Sequence, residues 1–380
     1  MTIFAPLPLV VTTDATGPLF GFDKIDIDSD LFVPVDAGHV SGPSQPGGVP
    51  IPWLLAKRAR KFTASLFGAP IFSGTVERKN KGKREGRLEL ELYSTAKALF
   101  DCPPLVAIPA RVPGPVVPVP DPVAGMTVLK RLSVPAGTLA QIATAAAGSL
   151  GVAVAPGAPA FTPRLDAVSA GDTTTCWQLL EPLAKQAGAT LWVDELGILH
   201  VDKLATFYLL PPVDKLLCLP GGAGQANNVL DYRLLDDTTD RFSHVVVKGN
   251  GAQRAQHGNA ATGLLSVPAA GQMIDPALVA RGAYRPLVIA DGTARNTLQA
   301  TNAAIREAAM RQVRGTKIEV DLYGWTTSTG IPWRVTQMVA AAFPEDGIAG
   351  LFFVAGRRFT RDKQSGTRTR LTLIEPGVLT

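Results

Sequence analysis

Three groups of residues in this chain have types and spacings that could do chemistry. The first is the acidic alternation Asp26-Ile27-Asp28-Ser29-Asp30, spelled like the opening of a calcium loop. Such a loop needs glycine at its sixth position and a bidentate glutamate at its twelfth, where this chain has Leu31 and Ala37. A half-buried strand fits better, with Ile25, Ile27, Ser29 and Leu31 inward and the three aspartates forming a solvated face. The second group is the four histidines: His200 and His244 on predicted strands, His39 and His257 in predicted loops. A triad assembles from distant positions, so spacing alone does not exclude one. With no local signature beside any of them, structural histidines are expected.

The third group is basic. The runs Arg78–Arg87 and Arg357–Arg370 concentrate Lys and Arg in two turn-like segments of a chain whose formal net charge is only +5. Their candidate partner-contact residues are Arg78, Lys79, Lys81, Lys83 and Arg84 in the first, and Arg357, Arg358, Arg361 and Lys363 in the second. A solvated tip that keeps sheet edges from mispairing is one reading, and docking onto an acidic protein partner is another. Phosphate tracking is the third, weakened because no aromatic side chains interleave to stack on bases.

Other chemistry is missing from the pattern. There is no G-x-S-x-G elbow, P-loop, H-E-x-x-H or C-x-x-C. The run Gly221 to Gly224 lacks dinucleotide-binding spacing and a following helix, and reads as a loop. Cys102, Cys176 and Cys218 are odd in number and widely spaced, which makes neither a disulfide framework nor a zinc site and fits a reducing compartment. No catalytic, cofactor-binding or metal-binding residue is assigned, no cofactor is called for, and an enzyme is not expected.

The elements that must position the charged groups are mostly short strands. Thirty-one prolines and 37 glycines in 380 residues favour turns over long helices, and the length implies two to three domains. No apolar run reaches the roughly 18 to 20 residues of a spanning helix, and Leu7-Pro8-Leu9-Val10-Val11 lacks the basic lead and length of a signal peptide. A soluble, non-exported chain is expected.

In order, Val33 to Gly48 reads as a Gly/Pro/Ser loop, and Cys102 to Pro122, with eight prolines, as an extended arm or linker. Thr138 can cap a helix carrying Leu139, Ile142, Ala143 and Ala146 on one face. A second helix, Thr174 to Ala187, sets Trp177, Leu180, Leu183, Ala184 and Ala187 in a stripe, contains Pro182 and stops at Gly188. Thr190–Val193 and Ile198–Val201 flank a four-residue hairpin connection. Leu204 to Leu230 wanders, Phe242 to Gly249 is a strong strand, and Gly251 to Ala294 is irregular. Asn296 can cap a helix whose stripe is Leu298, Thr301, Ile305, Ala308, Ala309 and Gln312, ahead of an alternating strand Lys317 to Gly324.

One pattern is written twice. Gly48-Val49-Pro50-Ile51-Pro52-Trp53 is answered by Gly330-Ile331-Pro332-Trp333, and Ala69 to Gly74 by Leu351 to Gly356. The basic turns follow, then the closing strands Arg87 to Leu92 and Arg370 to Ile374. Two long copies imply two β units and not a solenoid, which needs three or more. Trp53 and Trp333 should then occupy equivalent places.

Three of these stretches resemble the contractile-phage baseplate hub family, the Mu-type tail protein and late control protein D group, with the T-even hub as a distant relative. They are Trp177 to Leu180 running on through Ala187 to Leu199, then Asp240 to Gly249, and Gly330 to Trp333 followed by Gly347 to Val354. The resemblance implies a mainly β fold with α+β insertions, built as two tail-tube-like β-barrels in tandem plus small inserted domains. It implies residues 1–101 as the first barrel, completed by about 204–232, and 102–125 as the Pro-rich arm. Residues 126–203 would be a small α+β domain, and 233–380 the second barrel with an irregular and helical insertion at about 251–315.

It further implies a structural hub in the virion tail, assembled in the host cytoplasm. That hub is a homotrimer whose six barrels adapt a sixfold tube to a threefold spike around a channel. Its partners would be the tail-tube or distal tube-initiator protein and the central spike, with tape-measure and wedge proteins as further candidates. DNA would be only passing cargo, with no membrane insertion. Two alternatives stand beside it: a spike-base module of a type VI secretion or tailocin-like machine, and a glycan-binding or glycan-cleaving tail-associated protein.

Overall fold

The computed structural model describes residues 9–13, 17–19, 22–43, 61–82, 87–109, 127–156, 164–165, 168–169, 174–219, 227–249 and 269–378. Trp53, His257 and most of the Pro-rich stretch lie outside them, so the expected equivalence of Trp53 and Trp333 lies outside them too. Among the described residues the chain begins with β1 (Leu9–Thr13), β2 (Gly17–Leu19), β3 (Lys24–Asp30), β4 (Val33–Pro43), β5 (Lys61–Leu66), β6 (Ala69–Gly82) and β7 (Arg87–Ser94). These hydrogen-bond in the order β3-β4-β7-β6-β5-β1-β2. The acidic alternation is β3, with Ile25, Ile27 and Ser29 buried as its period of two requires.

The segment expected to be a loop after Val33 is the eleven-residue β4, which also carries His39. Its glycines were misleading because they serve close packing. A Cβ on Gly38 would lie 3.3 Å from the Leu92 side chain, and one on Gly42 would lie 3.1 Å from the Phe22 backbone.

The middle of the chain is a small α+β unit. Its approach is a ribbon in which β8 (Leu105–Pro109), within the proline-rich stretch, pairs antiparallel with β9 (Thr127–Arg131), which follows it. Short strand pairs follow, β10 (Ser133–Val134) with β13 (Val168–Ser169) and β11 (Gly137–Thr138) with β12 (Arg164–Leu165). Helices Leu139–Gly148 and Cys176–Ala187 start on reciprocal capping boxes, Thr138 with Gln141 and Thr175 with Gln178. The second runs through Pro182 and ends at Gly188 with a φ of 67°, the left-handed cap that glycine takes without strain. β14 (Thr190–Val193) and β15 (Leu199–Asp202) form the expected hairpin. Ile142, Ala146, Leu180, Ala184, Leu191 and Leu199 share one core.

The rest of the chain is a second β unit with a three-stranded insert. β16 (Lys215–Leu217) and β17 (Val229–Asp236) come first. β18 (His244–Gly249), β19 (Ala270–Ile274) and β20 (Pro286–Asp291) form a separate sheet in the order β19-β18-β20, covered by the helix Thr297–Gly315. β21 (Thr316–Tyr323), β22 (Met338–Phe343), β23 (Ile348–Asp362) and β24 (Gly366–Ile374) return to the large sheet.

Neighbour relations in this unit run β17-β21-β24-β23-β22-β16. The first unit runs β3-β4-β7-β6-β5-β1. The repeat read from the closing strands is thus a repeat of strand order, with one difference: β1 is antiparallel to β5 while β16 is parallel to β22. The units join where β23 leaves β22 and continues alongside β3, Gly356 opposite Asp30 through Arg361 opposite Ile25. Ile25, Ile27, Phe62 and Phe72 of the first share a single core with Val320, Trp333, Phe343 and Leu371 of the second.

Three expectations are corrected by this pairing. The strands within 204–232 do not complete the first unit, since β16 pairs with β22 and β17 with β21. Phe242 to Gly249 does not lead into the large sheet, and the region through Ala294 contains β19 and β20 of the insert. On the helix Thr297–Gly315 the buried side chains are Ala300, Ala303, Ala304, Ala309 and Val313, so of the expected stripe Ala309 is buried while Leu298 is 69% exposed. Small side chains let the helix backbone approach Gly271, so closeness, and not side-chain size, selected the packed face.

Candidate docking surfaces

The basic runs become the tips of two long hairpins, β6–β7 and β23–β24. On the first, Arg78 projects with 75% of its side chain exposed and reaches Glu91 at 3.5 Å. Lys79 and Lys81 stand on β6 opposite Leu90 and Leu88. Lys83 and Arg84 lie outside the described residues.

The second hairpin differs in what its charges do. Arg358 makes a two-pronged contact with Asp26, at 2.8 and 2.6 Å, and Lys363 reaches Asp23 at 2.8 Å. Arg370 pairs with Asp321 at 2.7 Å, and Arg361 is half-buried. The acidic face of β3 is therefore met by the basic face of β23, because the two strands are neighbours across the joint. Burial raises the carboxyls of Asp28 and Asp30 above the usual carboxylate range, against the opposing pull of Arg358 on the first and Lys317 on the second.

Arg357 is the correction among the candidate contacts. It is 2% exposed and cannot be a surface contact. Its guanidinium donates to the carbonyl oxygens of Trp333 and, at 2.8 Å, Ile71, and lies 4.8 Å from the centre of the Phe359 ring. Asp36 on β4 shares this environment, 4% exposed, its carboxyl pushed up to about 7 by burial against the pull of Arg357 and a Ser29 hydrogen bond. Nearby Arg334 pairs with Glu195 of the β14–β15 connection at 2.8 Å, which ties the α+β unit to the same region. Sequence reasoning missed this network. The available signal was an arginine directly after the apolar run Leu351 to Gly356, the first of the pair Arg357-Arg358, with no mark of its partner.

His200, His244 and Cys176 have local settings of their own. His200 Nε2 contacts Asp194 Oδ2 at 2.9 Å while its ring stacks on Trp192, and the other Asp194 oxygen accepts from the backbone of Leu196 and Ile198. His244 Nδ1 is 2.9 Å from Ser243 Oγ. Burial pushes the Cys176 thiol up to about 12, so it is not a thiolate nucleophile at neutral pH. Among the described residues no three His, Cys, Asp or Glu side chains are grouped to hold a metal ion. No described helix is long and apolar enough to cross a membrane.

Residues 311–378 match a family described as tail protein, C-terminal domain. This stretch contains β21 to β24, including the second basic hairpin. The whole fold is similar to the tail protein from Neisseria meningitidis MC58, with a TM-score of 0.73 and 22% identity covering 98% of each chain. It is also similar to the 43 kDa tail protein of prophage MuSo2 from Shewanella oneidensis, with a TM-score of 0.71 and 19% identity over 97% of this chain and 98% of that one. A third likeness, TM-score 0.51 and 9% identity over 97% of this chain and 76% of the other, is to the Escherichia coli protein c3393. That protein is described as a component of the type VI secretion system with structural similarity to T4 tail proteins gp27 and gp5. No curated protein matches the sequence.

Proposed function

We propose that this chain, which has the fold of prophage tail proteins and carries a tail-protein C-terminal domain, is the structural baseplate hub of a contractile tail. Its fold is mainly β with α+β insertions, two tail-tube-like β-barrels in tandem. The observation that carries the hub reading is the twice-used strand order, β3-β4-β7-β6-β5-β1 and β17-β21-β24-β23-β22-β16. Two equivalent units per chain let three copies present six similar surfaces, so a trimer meets a sixfold tube on one side and a threefold spike on the other.

In this reading residues 1–101 are the first unit, 102–125 the arm, 126–203 the α+β domain and 204–380 the second unit, with an insert at about 237–315. The partners are two further copies, the tube or its initiator, the central spike, and the tape-measure and wedge proteins. DNA passes through the channel, and assembly takes place in the host cytoplasm. The hairpin residues left for partner contact are Arg78, Lys79, Lys81, Lys83, Arg84, Arg358, Arg361 and Lys363. The role is structural and not catalytic.

Light scattering on the purified chain and electron microscopy of tail particles test this. A trimer in solution and threefold density between tube and spike are expected. A chain that stays monomeric and never co-purifies with tail proteins overturns it. The likeness to c3393 supports a second reading, a spike-base module of a secretion machine. Co-purification with secretion components, and not with phage structural proteins, selects that reading.

A further inference from the structure

The joint between the two β units encloses a positive charge whose own hydrogen bonds all go to neutral atoms. Arg357 and Trp333 are each 2% exposed. Arg357 Nη1 donates to the carbonyl oxygen of Trp333, and Nη2 to that of Ile71 at 2.8 Å and to Ser29 Oγ at 3.5 Å. Two N–H groups are left over. Arg357 Nε and the indole Nε1 of Trp333 are both buried with no acceptor among the described residues. A buried indole N–H ordinarily finds a partner, and a buried charge is ordinarily paired. Arginine cannot escape by shedding its proton.

The carboxyl groups around the guanidinium are Glu195, Asp36 and Asp194, with Arg334 as a second cation. Glu195 is matched by Arg334 at 2.8 Å, and Asp194 by His200 at 2.9 Å. Asp36 is left, facing Arg357, the Ser29 hydroxyl, Glu195 and Asp28. Its carboxyl is pushed up to about 7, chiefly by burial, so in mild acid it is neutral and offers Arg357 no counter-charge. The turn that carries Trp333 is strained as well. Thr336, a β-branched residue, has a φ of 70°, in the left-handed region that such residues avoid.

We propose that Arg357 and Trp333 form a binding site for one small monovalent anion of the chloride type, held between Arg357 Nε–H and Trp333 Nε1–H at the joint between the units. The bond from Arg357 Nη1 to Trp333 O ties the two donor residues together. A halide accepts hydrogen bonds from any direction, and its single charge matches the one guanidinium that lacks an ionised partner in contact. A doubly charged oxyanion would bring a charge that nothing there meets, since Arg334 is already paired. Ionised Asp36 and the anion compete for the same cation, so the anion binds best in acid and is released as the pH rises through about 7. The site is independent of the hub reading and stands or falls without it.

Denaturation of the full chain at constant ionic strength, with chloride exchanged for gluconate, tests it. Raising chloride from about 10 to about 300 mM is expected to lower the unfolding equilibrium constant about fivefold at about pH 5, and far less at about pH 8. Asp36→Asn, neutral at both pH values, is expected to keep the chloride effect at both, which loss of stability alone cannot imitate. Trp333→Phe, which removes the N–H, is expected to lose most of the effect. Crystals soaked in bromide are expected to show anomalous density beside Trp333 Nε1 and Arg357 Nε. Equal stability in chloride and gluconate overturns the site, as does a chloride effect that Trp333→Phe leaves untouched or that still fades with pH in Asp36→Asn. A water in place of bromide overturns it too.

Discussion

Arg357 on β23 donates through Nη2 to the carbonyl oxygen of Ile71 on β6 at 2.8 Å, a hydrogen bond from a side chain of the second unit to the backbone of the first. The same guanidinium donates to Trp333 O and shares its environment with Asp36. Removing one member of a buried charged network costs about 3–5 kcal/mol, because the groups left behind are desolvated and unpaired. Arg357→Met is expected to lose stability in that range, read from the midpoint of chemical denaturation. A loss below about 1 kcal/mol would mean the joint does not depend on this residue.

The carboxyl of Asp36 gives that joint a pH dependence. Its folded value of about 7 lies above the ordinary aspartate value of about 3.9, so the folded chain binds more protons there than the unfolded chain. This favourable contribution is fully present below about pH 4 and is lost as pH rises through about 7. Asp36→Asn removes the titration. The difference in stability between variant and unaltered chain should therefore move in favour of the variant from pH 5 to pH 8, by about 2 kcal/mol or more. Denaturation series at the two pH values measure it, and a difference that stays constant rejects this role for Asp36.

Local structure was far more legible in the sequence than partnership. The alternation of β3, the capping residues Thr138 and Asn296, the stop at Gly188 and the hairpin around Gly197 all have short-range causes, and each stands where the residues imply. The copied motif also identified β6–β7 and β23–β24 as equivalent hairpins. What the residues did not encode locally was which strand pairs with which. β18 and β21 both read as strands, yet one joins the insert and the other the large sheet. Arg357 shows the same limit, since a basic residue beside a turn looks exposed until the strands that bury it are known.

The insert makes its own prediction through Gly271. A Cβ there would lie 2.1 Å from Thr301 N and 2.2 Å from Ala300 C, backbone atoms of the covering helix that no side-chain rotation can move aside. Gly271→Ala must push the helix Thr297–Gly315 off the sheet, at the roughly 1–3 kcal/mol or more of an overpacked interior. Limited proteolysis should then cut faster in the insert than in β21 to β24. Equal protection of both regions would show that the helix tolerates the shift.

Arg358 and Asp26 separate the two possible roles of the second hairpin. Their contacts of 2.8 and 2.6 Å are bidentate, with the arginine side chain about half exposed, so solvent screens the pair. A double-mutant cycle with Arg358→Ala and Asp26→Ala should give a coupling of about 0.5–1 kcal/mol. Raising the salt concentration should shrink that coupling, because the pair is partly open to solvent. Such coupling would mark Arg358 as part of the joint between the units, its charge already used within the chain. A coupling near zero together with weakened binding to the tail partners would instead return Arg358 to the docking surface beside Arg78, whose side chain is more exposed.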